Sequence, residues 1–453
     1  MPPPPMDKLY ERLTEDAQSA MEMFERIRRA EVGTTVNGRY RHWDKLRQMT
    51  PPAGLTSEDW WFGIKLAREP LRRKLPLTDP EGRPARYCMP DEALELLHHV
   101  DQHAAGEVAM PEVVLGDSGA KRQYLVNSLI EEAIRSSQLE GATTSRRVAK
   151  EMIQSGREPR NRSERMILNN YRGMEFVRGI EGELTPAVVL ELHRILTEGT
   201  LDDPDAAGRL QTEEDERVAV YDRVDGRLLY RPPPASQLPD RFAEMLRFAN
   251  GATGGTGFLH PVVRAILTHF WLSYDHPFED GNGRTARALF YWSMRSQGYW
   301  ATDYLSISAI LRAAPGRYAR AFLHTETDDL DTTYFIMFHL GVIKRAVEQF
   351  HSYVQRKTVE IRKFDAAIRE SDEFNYRQLG VLRNAIRHPE TAYTFRGHAL
   401  SHAVTHESAR QDLTDLMRRG LMERRRIGRQ YVFRPVSRLA EKLRGELHEA
   451  TTS

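Results

Sequence analysis

Residues 276–287 read His276-Pro277-Phe278-Glu279-Asp280-Gly281-Asn282-Gly283-Arg284-Thr285-Ala286-Arg287. This one stretch contains a histidine, carboxylates, a Gly-Asn-Gly turn and two arginines. Taken singly, a His-Pro pair is usually a loop, Gly-Asn-Gly is usually a turn, and paired arginines usually lie on a solvated face. Their occurrence together in this order indicates a site that handles phosphate groups.

The first half of the stretch supplies a base and an acid. A neutral imidazole such as His276 is well suited to accept a proton from a hydroxyl group near neutral pH. Pro277 restricts the backbone of the histidine before it. Asp280 offers hard oxygen atoms, which suit Mg²⁺ shared between a protein carboxylate and substrate phosphates.

The second half predicts an anion site at the start of a helix. The turn 281–283 can adopt positive φ angles, so that successive backbone N–H groups converge on an anion. Residues 285–297 lack Gly and Pro and are followed by Gly298, which predicts a helix. Phosphate is favoured at a helix N-terminus. Arg284 and Arg287 are three residues apart, and we expect both to face the same phosphate chain. The Walker A pattern is absent from the sequence.

The stretch fills every fixed position of the pattern HPFx[D/E]GNGRxxR, and the chain thereby resembles the Fic (Fido-domain) family. The resemblance implies a protein adenylyltransferase that transfers AMP from ATP to protein hydroxyl groups with Mg²⁺. It implies a mainly α fold, with a Fic-type helical core and a small β-hairpin flap. The implied base is His276, and the implied metal ligand is Asp280. The implied nucleotide-binding residues within the motif are Gly281, Asn282, Gly283, Arg284, Thr285 and Arg287.

A second motif, residues 136–141, resembles the autoinhibitory pattern [S/T]xxxE[G/N] of the same family through Ser136, Glu140 and Gly141. On pattern alone, such a Ser and Glu usually lie on a solvated helix face. An acidic residue in the last turn of a helix is disfavoured by ~0.3–1 kcal/mol and calls for a cationic partner. The resemblance implies that Arg287 is this partner and that Glu140 takes the place of the ATP γ-phosphate. Positioning water for removal of AMP is the second role open to Glu140.

Residues 217–231 predict a β-hairpin, because β-prone runs flank Asp225-Gly226. The alternative is an ordinary surface hairpin. The resemblance implies a flap that binds the target protein by strand addition and that brings Val218 and Val220 to the nucleotide. The chain departs from its relatives before the flap, where Gln211 replaces a frequent arginine. Two further residues, Tyr318 and His324, fall where relatives contact nucleotide, and core packing is the alternative for Tyr318.

Composition excludes several classes of protein. The 453 residues are 40% hydrophobic, which indicates a globular chain of two or three domains. A net charge of +1 excludes a nucleic-acid binder driven by overall charge. The single cysteine, Cys88, excludes an internal disulfide and fits a reducing cytoplasm. No stretch approaches the length of a membrane span, so we expect a cytoplasmic protein without a membrane partner.

Apolar spacing and capping signals predict a mainly helical chain. Asp91 is expected to cap one helix. The other expected helices cover residues 7–31, 121–140, 164–179, 185–198, 239–250, 261–274, 285–296, 316–324 and 334–357. The predicted domains are an N-terminal helical extension at 1–117, a Fic catalytic core at 118–357, and a third domain at 358–453.

The third domain carries concentrated basic charge, with 18 Lys and Arg against 12 Asp and Glu over residues 361–453. Expected helices at 376–388, 394–402 and 405–419, followed by strands at 421–424 and 430–433, resemble a winged helix-turn-helix. Arginines 424, 425, 426 and 429 are candidates for DNA phosphate contacts. The alternative is a protein-contact module, with a second copy of the chain as partner.

Three functions therefore remain open beside AMP transfer. The domain can remove AMP from proteins, or it can transfer phosphate like the Doc branch of the family. That branch typically has lysine in place of the second glycine of the motif, whereas this chain has Gly283. The third alternative is a DNA-binding regulator whose Fic core senses nucleotide.

Overall fold

The computed structural model describes residues 3–15, 17–105, 118–217, 220–221, 228–252, 257–369, 374–387, 391–427, 430–437, 439 and 442–443. Helices dominate these residues, and the strands form two-stranded sheets. The predicted mainly α fold is confirmed. Every helix in the described part of the chain is too short or too polar to cross a lipid bilayer.

The N-terminal region combines five helices with one hairpin. Its elements are α1 (Met6–Glu15), α2 (Ala17–Arg29), α3 (Trp43–Leu46), α4 (Ser57–Arg68), β1 (Arg73–Thr78), β2 (Pro84–Tyr87) and α5 (Asp91–Ala104). Helix α4 begins with a capping box, in which Thr56 and Asp59 each bond the other's backbone N–H through their side chains. Helix α4 and the antiparallel pair β1–β2 were not predicted from the sequence.

The expectation that Asp91 caps α5 is wrong. Pro90 is the N-cap, and no side chain makes the capping hydrogen bond. Asp91 is instead the first helical residue, where its carboxylate still favours the positive end of the helix dipole.

The central region carries the 276–287 stretch. Its elements are α6 (Ser118–Leu139), α7 (Arg146–Ser155), α8 (Arg162–Gly179), α9 (Pro186–Thr197), β3 (Val220–Tyr221), β4 (Leu228–Tyr230), α10 (Leu238–Ala249), α11 (Pro261–Asp275), α12 (Asn282–Ser296), α13 (Ile307–Ala313), α14 (Pro315–Thr327) and α15 (Thr333–Arg369). Helices α11 and α12 are buried along most of their length and pack against each other. A helix buried on most faces is rigid, and the loop between α11 and α12 is therefore held at both ends.

The predicted hairpin is present, with Val220 paired to Tyr230 and Tyr221 paired to Leu228. The turn at Asp225-Gly226 lies outside the described residues.

The C-terminal region contains α16 (Tyr376–Arg387), α17 (Phe395–His402), α18 (His406–Arg418), β5 (Met422–Ile427) and β6 (Gln430–Pro435). These are the expected three helices and hairpin, packed around Leu382, Leu413, Leu416 and Phe433. Their assignment as a winged helix-turn-helix stays a prediction. By packing, the described residues fall into two compact units, drawn from residues 1–108 with 127–348 and from residues 109–126 with 349–453. The two predicted domain boundaries, after residues 117 and 357, stay predictions.

Candidate active site

The loop between α11 and α12 is shaped by two residues with left-handed backbone conformations. His276 ends α11 at φ 48° and ψ 56°, and its N–H donates to Leu272 O at 2.9 Å. This conformation is uncommon for a residue with a side chain, and residues held in such conformations concentrate at functional sites. Gly281, at φ 84°, is the N-cap of α12. A Cβ there would lie 2.7 Å from Thr197 Cγ2, so the close approach of α9 also requires glycine.

The loop is closed from within by the side chain of Asn282. Its Oδ1 accepts from Phe278 N at 2.9 Å, and its Nδ2 donates to Phe278 O at 2.7 Å. Thr285 Oγ1 donates to Gly281 O at 2.9 Å. The sequence indicated Asn282 and Thr285 as nucleotide-binding residues. In the structure, both buried side chains bond the loop backbone. The first N–H groups of α12, as at any helix start, have no partner within the helix.

His193 of α9 packs against the loop and bonds it, although the sequence analysis did not predict this residue to be part of the site. Its ring stacks on Phe278, with centroids 3.8 Å apart and planes inclined by 7°. His193 Nδ1 accepts from Gly208 N at 2.9 Å. Nε2 therefore carries the proton in the neutral ring and donates to Asp280 O at 2.8 Å. Burial lowers the pKa of His193 to about 4, so the ring is neutral near pH 7.

Replacing His193 with a residue that does not titrate is expected to make the free energy of unfolding fall less steeply as the pH is lowered. Its pKa falls from 6.5 to about 4 on folding, which corresponds to about 3 kcal/mol at ~1.4 kcal/mol per unit. The unfolded chain binds this proton first, so the contribution is complete above pH 6.5 and is lost as the pH falls towards 4.

Urea unfolding between pH 7.5 and 4 should therefore show a shallower loss of stability in His193→Gln than in the wild type. Glutamine keeps a donor for Asp280 O but does not titrate. Parallel curves for the two proteins would contradict this assignment.

Arg217, just before β3, holds the C-terminal end of α11. Its Nη1 donates to His276 O at 2.7 Å, and its Nη2 donates to Asp275 O at 2.6 Å. A cation at this end of a helix is favourable and satisfies carbonyl groups that lack helical partners. Gln211, which stands where relatives often have arginine, bonds Arg217 through its side chain. Gln211 N also donates to Pro277 O at 2.8 Å.

The imidazole of His276 is set up to remain neutral. Burial lowers its pKa and the nearby Arg217 charge lowers it further, while a hydrogen bond to the Ser273 backbone acts in the opposite direction. The net shift of the His276 pKa is downward. A neutral ring can accept a proton, which is the state that a general base requires.

Asp280 presents a half-exposed carboxylate beside this histidine. Its Oδ1 accepts from Gly281 N at 2.6 Å, and its Oδ2 accepts from Arg284 Nη2 at 3.3 Å. The side chain is 44% exposed, so its oxygens remain accessible to a ligand. Mg²⁺ is usually held by one or two carboxylates together with substrate phosphates. The donor chemistry and accessibility of Asp280 fit such an ion.

The two arginines of α12 have separate partners. Arg284 is buried and donates through Nη1 to Leu196 O at 2.7 Å as well as to Asp280. Arg287 Nε donates to Ser136 Oγ at 2.9 Å, and Arg287 Nη2 donates to Ser136 O at 3.0 Å. The two guanidinium groups thus have different partners in this arrangement, and the expectation that both face one phosphate chain stays a prediction. The role of Arg284 in phosphate binding stays a prediction.

Glu140 makes the contact that the family resemblance implied. Its Oε1 accepts from Arg287 Nη2 at 2.8 Å, where the exposed fractions of the two side chains are 29% and 2%. Burial lowers the pKa of Arg287, but the charge of Glu140 raises it more and the net shift is upward. Gly141, at φ 94°, follows directly.

Glu140 can take this position because Gly283, in the first turn of α12, has no side chain. A Cβ at residue 283 would overlap the Glu140 carboxylate and would lie 3.0 Å from Arg287 Nη1. The carboxylate therefore lies directly against a helix N-terminus and beside a cation. These two features define an anion site.

Four further predicted nucleotide contacts have different outcomes. Tyr318 OH lies 2.8 Å from His269 Nε2, and burial raises the pKa of Tyr318 to about 12. His324 Nε2 lies 3.2 Å from Asp44 Oδ2, so this residue joins α14 to the N-terminal region. Val220 belongs to β3, and Val218 lies outside the described residues.

Part of this site lies in a region that matches a known family. Residues 183–294 match the model of the Fic/DOC family. Over 117 residues, 26% of this chain, the sequence is 35% identical to "Protein adenylyltransferase Fic" of Drosophila sechellia and 37% identical to that of Drosophila erecta. The matched part spans about a fifth, 21%, of these curated relatives.

A solved structure of a Fic family protein from Desulfovibrio desulfuricans G20 has the same fold. The TM-score is 0.52 at 18% sequence identity, and the match covers 77% of this chain and 96% of that one.

Proposed function

We propose that this chain, which contains a Fic/DOC-family domain, transfers AMP from ATP to a hydroxyl side chain of a target protein. The observation that supports this most directly is the loop between α11 and α12. It sets the neutral ring of His276, the accessible carboxylate of Asp280 and the N-terminus of α12 next to one another. These are the groups needed to deprotonate a hydroxyl and to bind a polyphosphate.

In the proposed reaction, the target hydroxyl oxygen attacks the α-phosphorus of ATP. His276 accepts the hydroxyl proton, the new P–O bond forms, and the bond to the β-phosphate oxygen breaks to release pyrophosphate. Arg217 keeps His276 in place by bonding its carbonyl group. The N–H groups at the start of α12 stabilise negative charge on the phosphates. An ion held by Asp280 and the phosphates would neutralise further charge.

We further propose that the structure represents an inhibited state. The Glu140 carboxylate occupies the anion site at Gly283 and engages Arg287. A phosphate group cannot bind there at the same time, since both would take the same space and the same cation. Opening the pair would free Arg287 for ATP.

Transfer of radioactive label would test the function. The chain, in wild-type form and as Glu140→Gly, is incubated with candidate acceptor proteins and ATP labelled at either the α- or the γ-phosphate. Protein labelling from the α-label alone supports AMP transfer. Labelling from the γ-label would show phosphate transfer instead, and release of AMP from a premodified acceptor would show the reverse reaction.

Replacement of Asp280 should raise the Mg²⁺ concentration that the reaction needs to reach its full rate. Asp280→Asn keeps an acceptor for Gly281 N but loses the charge that binds Mg²⁺, so the rate at limiting Mg²⁺ should fall at least about 10-fold. The measurement is the rate of α-label transfer across a Mg²⁺ titration.

Asp202→Asn is the matched control, because Asp202 is an exposed neighbouring carboxylate that lies 4.0 Å from Arg162. An unchanged Mg²⁺ dependence in Asp280→Asn would remove Asp280 as the metal ligand.

The flap supplies the proposed docking site for the target protein. Strands β3 and β4 pair only with each other among the described residues, so an extended target segment can add to an edge of this hairpin. Strand addition would position the acceptor hydroxyl by backbone hydrogen bonds.

DNA binding is a second candidate function, and the observation that favours it is the charge of β5. Three consecutive arginines, 424–426, are exposed on this strand. Helix α18 is less favourable to DNA, because its Glu407 and Arg410 pair with each other at 3.6 Å. A DNA-shift assay across a salt series tests the proposal, since phosphate contacts weaken steeply with salt. No shift at low salt would exclude it.

A further inference from the structure

Three side chains with metal-binding atoms meet where the N-terminal region contacts α14. One ligand atom from each of His42, Asp44 and His324 lies within 4.8 Å of the others. His324 Nε2 is 3.2 Å from Asp44 Oδ2. The rings of His42 and His324 stack with centroids 3.9 Å apart and planes 13° apart. In the described part of the chain, no other group of three His, Cys, Asp or Glu side chains comes this close together.

His42 is buried and only partly satisfied. It is 4% exposed, and its Nδ1 accepts from Asp44 N at 3.2 Å. Its Nε2 is buried without a hydrogen-bond partner among the described residues. A buried polar atom without a partner costs stability and calls for a physical reason. An ion bound at Nε2 would give that atom a partner. The ring proton would then move to Nδ1, so the long bond from Asp44 N would be lost.

The surroundings suit a divalent cation. The Asp44 carboxylate belongs to the cluster itself, and the nearby Lys65 Nζ is paired with two carboxylates, Asp328 Oδ1 at 2.5 Å and Asp329 Oδ2 at 3.3 Å. Tyr334 packs edge-on against both imidazoles and donates to Asp328 Oδ2 at 2.8 Å.

We propose that His42, Asp44 and His324 form a binding site for a transition-metal ion of the zinc class. Two imidazole nitrogens and one carboxylate oxygen match the preference of Zn²⁺, whereas Mg²⁺ prefers oxygen ligands. The fourth position of a tetrahedral ion would be left to water. The site is separate from the Asp280 carboxylate and does not depend on the proposed AMP transfer.

The arrangement needs only a modest contraction to hold the ion. Ligands at 2.0–2.1 Å from a tetrahedral ion lie roughly 3.3 Å from one another. The widest spacing in the cluster therefore has to close by up to about 1.5 Å. Rotation of the two imidazole rings out of their parallel stack would direct both lone pairs towards one ion.

Such an ion would fasten residues 42–44 to α14 across a separation of 280 residues in the sequence. Because the site exists only in the folded chain, the ion should raise the midpoint of thermal unfolding in a concentration-dependent manner.

Direct metal binding tests the proposal. Untagged full-length protein is stripped with a chelator and titrated with Zn²⁺ against a chromophoric competitor, without nucleotide. We expect one tightly bound ion per chain. His324→Gln and Asp44→Asn should each weaken binding at least about 10-fold, since even outer-shell partners of a metal site cost 10–100-fold. His98→Gln, which changes an exposed histidine of α5, is the matched control and should bind like the wild type.

Co²⁺ substitution keeps the test decisive where a variant folds poorly. The wild-type protein should show the visible absorption bands of a tetrahedral Co²⁺ site with nitrogen and oxygen ligands, and circular dichroism monitors the fold of each variant. The proposal is overturned if the wild type retains no ion after gel filtration in micromolar Zn²⁺. It is also overturned if a folded His324→Gln binds as tightly as the wild type.

Discussion

Replacing His276 with alanine is expected to lower the rate of AMP transfer by about 10²–10⁴-fold, the usual contribution of a general base. The affinity for ATP should change little, because the imidazole acts on the target hydroxyl. The fold should also persist, since the loop is held by backbone groups of His276 and Asp275 bonded to Arg217 and by the Asn282 side chain. Single-turnover transfer of α-label, with ATP affinity measured separately, distinguishes these effects.

Glu279→Gln is the matched control for His276→Ala. Glu279 lies in the same loop, at the variable position of the motif, and its loss should leave transfer unchanged. If His276→Ala keeps nearly the wild-type rate, His276 is not the base. If ATP affinity falls in parallel with the rate, the histidine serves binding or structure instead.

Replacing Glu140 with glycine is expected to raise AMP transfer by roughly 10- to 100-fold. A charged hydrogen-bonded pair contributes ~1.5–3 kcal/mol, and ~1.4 kcal/mol corresponds to a factor of ten when the closed state dominates. Removal of the carboxylate frees Arg287 and empties the space against Gly283. Initial rates of α-label transfer at ATP concentrations well below KM provide the measurement, because saturating ATP would itself displace the competing carboxylate.

Two other variants separate inhibition from general disturbance of α6. Glu131→Gln breaks an ion pair with Arg135, 2.8 Å away on the same helix, and should leave the rate unchanged. Arg287→Ala breaks the same contact as Glu140→Gly. It should not show the rise in rate expected for Glu140→Gly, because the proposed reaction needs Arg287 for ATP. Equal losses of activity in Glu140→Gly and Arg287→Ala would show that Glu140 is catalytic or structural.

Local spacing was enough to predict most of the helices, because apolar periodicity and caps lie within a few residues of each other. Helix α4 escaped this reasoning, since its Trp60-Trp61-Phe62 run is buried on several sides and shows no amphipathic pattern. Thr56 and Asp59 did provide a local capping signal, which could have located the start of the helix.

The candidate site divides along similar lines. The side chains of residues 276–287 belong to one continuous motif, and the family resemblance joined Glu140 to Arg287. His193 and Arg217 could not be found this way. Their partners are backbone groups of distant residues, which carry no sequence signature. Asn282 was predicted to belong to the site from its place in the motif. Its role in closing the loop could not be predicted, because that role depends on three-dimensional contacts.

The carboxylate that lies against Gly283 belongs to the same chain as the site it fills. Under the proposed inhibition it is a tethered ligand, whose effective concentration is set by α6 and stays constant when the protein is diluted. Activity per molecule should then be independent of protein concentration, whereas inhibition between separate copies would fade on dilution. Activation would then require a partner, a modification or a substrate that moves the end of α6, and a cell could not switch on the proposed activity merely by making less of the protein.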